Sequence, residues 1–234
     1  GYYTMLAVFI LFLQANFGWN GATAGLVYSS FLMLVYFLPL FGGIAADLWG
    51  YSRMVTTGIF IMFAGYALLS IPMGASTTAI VAMGAALLLV SLGTGLFKGN
   101  LQVMVGDLYN APEFADKRDA GFSLFYMAIN IGAMFAPTAA IKIMKWAQDT
   151  MHVSVEDSYH FAFAVACVSL IVSIAIYYIF SFTYKHVLAS ETKKKDDKTP
   201  AKEVNELSPA ETKERIVCLC LVFAVVIFFW MAFH

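Results

Sequence analysis

The sequence predicts an all-α, polytopic membrane protein, and three observations carry that reading. Of its 234 residues 61% are hydrophobic and 12% charged, with a mean hydropathy of +0.76, against about 45–50% and about 25% for an ordinary soluble domain. Apolar segments near the ~20 residues that cross a bilayer recur along the chain between short polar breaks. The basic residues gather in alternate connections: Arg53, Lys117, Arg118 and the eight in 185–215 make 11 of the 14. Connections 18–21, 72–77 and 149–159 hold none, which sets the basic connections, the chain start and the linker on the cytoplasmic side.

The first apolar segment covers Tyr2 to Phe17, and it lacks the basic start and small-residue cleavage site of a signal peptide. The second covers about 22–46 and the third 54–71, ended by Pro72. The fourth, 79–106, carries a single charge before its end, Lys98. The fifth covers 121–146, with Pro137 as an expected kink, and the sixth 161–183. A seventh starts near Ile216. Gly1 opens inside one apolar helix and His234 closes inside another, so the chain is expected to be a segment of a longer protein.

Residues 184–214 form a polar linker of mixed charge. Within it Ser208, Pro209 and Glu211 have the order of a helix cap, first residue and capping-box acid. The plain reading is a solvated connector; the sharper one gives Lys193 to Lys195 to anionic lipid headgroups. Net charge is −1, which predicts no nucleic-acid partner. The three cysteines sit in apolar runs without metal-ligand spacing and read as inert thiols. No metal site is expected.

The fourth segment is the most informative. On a helix Ser91, Thr94, Lys98 and Gln102 fall on one stripe, with Gly95 and Gly99 beside it. A lysine in a spanning helix costs about 2.5–3.5 kcal/mol on insertion scales, so the stripe must face protein or a hydrated cavity. Six spans, a long charged linker and a seventh span are the layout of a 6+6 secondary transporter. The halves of such carriers are inverted three-helix repeats with substrate near the midplane.

Five motifs bear on the family. Gly42-Gly43-Ile44-Ala45-Ala46-Asp47-Leu48-Trp49-Gly50-Tyr51-Ser52-Arg53, read as the loop between the second and third spans, resembles the GxxxDxxGRR loop of the major facilitator superfamily. Here Leu48 and Tyr51-Ser52 replace basic residues. Gly93-Thr94-Gly95-Leu96-Phe97-Lys98-Gly99-Asn100 resembles the GTGLxKPN run of proton-dependent oligopeptide transporters, the POT family. Phe122 to Gly132 is similar to that family's FxxFYxxINxG motif, and Tyr2-Tyr3 to the tyrosine pair following its ExxERF motif. Phe228-Phe229-Trp230-Met231-Ala232-Phe233-His234 looks like its FWxxFEQ, with histidine in place of the acid; Gly99 and Ala133 replace a proline and a serine.

The resemblance implies that Tyr2, Tyr3, Tyr36, Lys98 and Asn130 line a central peptide cavity. Lys98 would hold the substrate carboxylate and Asn130 its backbone. Asp47 and Arg53 would belong to a cytoplasmic charge relay, and His234 would stand at a coupling or gating position. The residue pattern is compatible. Ser29, Tyr36 and Gly43 recur at sevens, Ser123, Tyr126, Asn130 and Pro137 share a face, and Tyr3, Tyr36, Lys98 and Asn130 lie roughly 20–30 Å from the outer helix ends. Plainer roles stand beside these: packed tyrosines, interhelical glue at Asn130, a structural ion pair at Lys98, and for His234 a satisfied polar residue at a bundle interface. His152, His160 and His186 fall in loops or at segment edges and receive no role.

The expectation is the N-terminal half of a POT-like carrier: a six-helix bundle over 1–183, a cytoplasmic linker over 184–214, and the start of a seventh helix over 215–234. It is expected to take up di- or tripeptides or similar zwitterions with protons, with no other cofactor, as a monomer in the cytoplasmic membrane. A transport-inactive sensor or scaffold with the same fold, or a carrier of a non-peptide substrate, is the alternative. An enzyme is not expected, since no HExxH, GxSxG or paired intramembrane acids occur. A channel is disfavoured by the lack of a charge ring or filter repeat.

Overall fold

The computed structural model describes residues 2–110, 113–184 and 208–233. They fall in two units, one within 1–192 and one within 193–234. The first holds α1 (Tyr2–Phe17), α2 (Gly21–Trp49), α3 (Tyr51–Leu69), α4 (Thr77–Asp107), α5 (Arg118–Met151) and α6 (Val155–Ile179), with 3₁₀ turns at Ala115–Lys117 and Phe180–Thr183. Among the described residues there is no strand. α2 to α6, the last two with their flanking turns, are long and apolar enough to cross a membrane; α1 is apolar but only 16 residues long. The protein is an all-α, polytopic membrane protein.

Two boundaries differ most from the sequence expectation. At the start of α6 polar residues that read as loop satisfy or complement the terminal peptide groups. α6 starts at Val155, where Ser154 Oγ accepts from the Asp157 N–H at 3.0 Å and Glu156 and Asp157 fill the first turn. The expected loop at 42–53 is mostly helix: α2 runs through Gly42, Gly43 and Asp47 to Trp49, and α3 begins at Tyr51. The turn is Gly50 alone, at φ 96°, a conformation that glycine adopts without a Cβ penalty. Proline does not break its helix at Pro39 or Pro137; α2 and α5 each continue past it.

α1 buries Met5, Val8, Phe9, Phe12 and Leu13, the i, i+3, i+4, i+7, i+8 stripe of a helix with one face inward. α4 packs along both α2 and α3, and α6 along α1, α3 and α5. Bilayer lipid is as apolar as leucine, so close backbone approach, not hydrophobicity, must hold such helices together. Glycine provides it here. A Cβ built on Gly93 would stand 2.6 Å from the Gly58 carbonyl oxygen and the Met62 nitrogen, and one on Gly58 would stand 2.7 Å from the Gly93 carbonyl. Likewise a Cβ on Gly42 would collide with the carbonyl of Gly95.

The second unit contains α7 (Pro209–Phe233). Its start is the expected capping box. Ser208 donates through its N–H and its hydroxyl to the Glu211 carboxylate, each at 2.8 Å, and Ser208 Oγ accepts from the Glu211 N–H at 3.3 Å. The bonds from Ser208, the hydroxyl's first, hold the Glu211 carboxyl below its usual range. A depressed carboxylate stabilises the cap above its unfolded value of about 4.3 and loses that effect as pH falls through the folded value. Exchange of the 210–212 amides, corrected for intrinsic rates, is therefore expected to accelerate in that acidic range. In Glu211→Ala it should already be fast at neutral pH. Residues 185–207, most of the linker, and His234 lie outside the described residues.

Candidate functional site

α4 carries the site, and its polar stripe divides into a dry part and an open part. Ser91 is 0% exposed and its hydroxyl finds no protein partner among the described residues. Thr94 is also buried; its hydroxyl donates to the Val90 carbonyl at 2.7 Å, with Met62 Sδ 3.4 Å away on α3. Lys98 and Gln102, further along, are half-buried and border an open face of the bundle. The stripe thus faces protein, as its polarity requires, but only its lower half can meet a solute.

On that face the Lys98 ammonium lies 4.9 Å from the centre of the Tyr36 ring. Tyr36 is 68% exposed, because α2 turns the opposite stripe, Phe31, Val35, Gly42 and Ala46, into the bundle. A cation over a tyrosine ring is worth about 0.5–2 kcal/mol and leaves the charge available. Among the described residues no carboxylate pairs with Lys98, so the structural ion pair considered from the sequence is not found there.

α5 is set in register by a bond the sequence did not disclose: Gln102 Nε2 donates to the Tyr126 hydroxyl at 3.0 Å. Neighbouring spans run antiparallel, so four residues back from Gln102 and four forward from Tyr126 lead in the same direction, about 6 Å at 1.5 Å per residue. Lys98 and Asn130 are therefore at one depth. Asn130 is exposed and its side chain makes no hydrogen bond among the described residues. It is not interhelical glue within the described bundle.

The two α1 tyrosines diverge. Tyr3 is 42% exposed, whereas the Tyr2 hydroxyl is buried without a partner among the described residues, its ring packed 6.4 Å from Phe31. Both stand together at 5.6 Å in an edge-on pair. Asp47 does not take Arg53 as its partner: its carboxylate accepts from the Tyr51 hydroxyl at 2.5 Å, and Arg53 is exposed.

Two residues escaped the sequence reading. Asn100 is 2% exposed and donates to the Gly42 carbonyl of α2 at 3.0 Å and to Leu96 of its own helix at 2.7 Å. It staples α2 to α4 just below Lys98; an amide two residues from a lone lysine on an apolar helix was the available signal. His160, expected at a segment edge, is buried inside α6.

The sequence profile of the POT family matches residues 52–198. The chain is 33% identical over 183 residues to the "Uncharacterized transporter YclF" of Bacillus subtilis (strain 168), a match covering 75% of this chain and 34% of that protein. It is 32% identical over 185 residues to the "Di-/tripeptide transporter" of Lactococcus lactis subsp. cremoris, covering 76% and 34%. Among solved structures it resembles a bacterial homologue of the human drug peptide transporters PepT1 and PepT2, with a TM-score of 0.69 and 30% identity over 78% of this chain and 39% of that one. The chain spans a quarter to a third of the length of the curated relatives it matches.

Proposed function

Because the chain belongs to the POT family, we propose that it forms the six-helix half of a secondary transporter taking up di- or tripeptides, or similar small zwitterions, by alternating access. The observation that carries this reading is a lysine with no carboxylate partner among the described residues, held over an exposed tyrosine ring at the depth of an exposed, unbonded asparagine. That set offers a cation for a carboxylate, an amide for a peptide backbone and aromatic surface for side chains. The name of the Lactococcus relative supports the substrate class.

Lys98 holds the negative end of the substrate, Asn130 its amides, and Tyr3 and Tyr36 flank it. Tyr2 supports this wall from within the bundle. Asp47, bonded to Tyr51, and Arg53 are exposed near one end of the bundle, where they would meet charges across a moving boundary. Protons are the coupling ion, and His234, which can carry one near neutral pH, serves at the seventh-helix position. The protein resides in the cytoplasmic membrane with its basic connections inside. It acts as a carrier and not as an enzyme.

The test is uptake of a labelled dipeptide into proteoliposomes under an inward proton gradient. Accumulation above equilibrium that collapses with an uncoupler is expected. Accumulation indifferent to the uncoupler would reject proton coupling, and no flux at all would leave a sensor or scaffold.

A further inference from the structure

α4 and α5 meet near the α4 C-terminus. A Cβ on Gly106 would stand 3.1 Å from Nη2 of Arg118 and 3.5 Å from the Phe122 ring, and one on Gly121 would collide with the Tyr109 ring. Moving from there towards Lys98, the last tie is the 3.0 Å hydrogen bond from Gln102 Nε2 to the Tyr126 hydroxyl. Past it, among the described residues, no side-chain bond joins the two helices. Lys98 is one turn from Gln102 on α4, and Asn130 one turn from Tyr126 on α5. The four side chains mark a notch. Its upper edge runs from ammonium to amide, and its floor, about 6 Å away, is the bonded pair.

That floor is neutral and offers hydrogen bonds of both kinds. Gln102 is half-buried and Tyr126 is 49% exposed. Because the tyrosine oxygen accepts from Gln102, its own proton is left for a ligand. The Gln102 carbonyl, unbonded among the described residues, still accepts. Turning the carboxamide over reverses the bond and leaves an N–H donor and a tyrosine lone pair, so one donor and one acceptor remain either way.

Charge narrows what the floor can take. Residues 120–141 of α5 hold no charged side chain, and within 77–106 of α4 Lys98 is the single one. A basic side chain reaching the floor would meet Lys98 one turn away, and an acidic one would be drawn up to Lys98 itself. An aliphatic one would cover donor and acceptor without satisfying either. A dipeptide with its carboxylate on Lys98 and its amide on Asn130 lies along the upper edge, at one depth. The side chain beside the carboxylate then points across that line, towards the floor. Of the step of about 6 Å, a hydrogen bond takes about 3 Å, which leaves a side chain of serine, threonine or asparagine length.

We propose that Gln102 and Tyr126 form a subsite for the side chain next to the substrate carboxylate, selecting short neutral side chains that bear a hydroxyl or carboxamide. The subsite rests on the peptide-carrier reading above, and its test separates the two. Full-length protein in proteoliposomes takes up labelled Ala-Ala against unlabelled Ala-Thr or Ala-Val, competitors of one shape that differ in a hydroxyl. Ala-Thr is expected to compete about tenfold better, the factor that separates a satisfied from a stranded hydrogen-bonding group. This ratio compares two ligands on one protein, so the amount of folded protein cancels. Equilibrium binding in detergent gives the same ratio for a variant too slow to transport. In Gln102→Met and in Tyr126→Phe the ratio should fall to about one, and in the double variant no further. A ratio near one in the unaltered protein, with Ala-Ala still taken up, would overturn the subsite and leave the Lys98 face standing. A ratio that survives both substitutions would reduce the pair to a tether between α4 and α5. Failure of all three dipeptides to bind would sink the carrier reading, and the subsite with it.

Discussion

Lys98→Ala is expected to lower the apparent affinity for a dipeptide by roughly 30- to 150-fold, with membrane expression unchanged. A charge-assisted hydrogen bond or ion pair in a half-buried site is worth about 2–3 kcal/mol, and each ~1.4 kcal/mol is tenfold. The ammonium has no carboxylate partner among the described residues to be stranded by its removal, and only its stacking on Tyr36 is lost. The loss should therefore fall on substrate binding and not on folding. Arginine is a poor replacement, since its planar fork does not reproduce a compact ammonium above one ring. The check is a concentration series of dipeptide uptake beside a thermal melt of each variant. Unchanged uptake would remove Lys98 from the site; a collapsed melt would make it structural.

Gly93→Val is expected to lower Tm by about 6–12 °C or to prevent accumulation of folded protein. The position sits where α3 and α4 touch through backbone, with the Gly58 carbonyl and Met62 nitrogen 2.6 Å from any added Cβ. Neither is a flexible side-chain end, so the helices must part. Overpacking of this kind costs about 1–3 kcal/mol even where neighbours yield, and each kcal/mol moves Tm by about 2–4 °C in a chain of this size. Gly84→Ala is the matched control. Nothing stands within 4 Å of a Cβ there, and alanine is the better helix former by about 1 kcal/mol. Thermal melts in one detergent should separate the two substitutions in opposite directions. Equal melts would mean that the glycine contact does not hold α3 to α4.

Much of this architecture was legible in the residues because hydrocarbon enforces length and apolarity on anything that crosses it. The spans from α2 to α6 declare themselves that way, and the stripe through Lys98 had to face inward because lipid would not accept it. What stayed hidden was of two kinds. Helix ends rich in polar residues, at Asp47 and at Glu156, look like loop although both residues lie within helices. Contacts between helices leave no period in the chain. Nothing along it couples Gln102 to Tyr126 or Asn100 to Gly42, or says that His160 lies under two phenylalanines. The Tyr36–Lys98 pairing was reachable only through family resemblance, since the two residues are far apart in sequence.

A joint of one residue has a mechanical consequence. Gly50 is all that separates α2 from α3, and both lean on α4 through glycines, Gly42 on Gly95 and Gly58 on Gly93. The three rods make a truss, pinned at a corner and seated on two bare contacts. The truss carries Tyr36 on one rod and Lys98 on another, with ring and ammonium 4.9 Å apart. The glycine contacts thereby tie the helix that presents the ring to the helix that presents the charge.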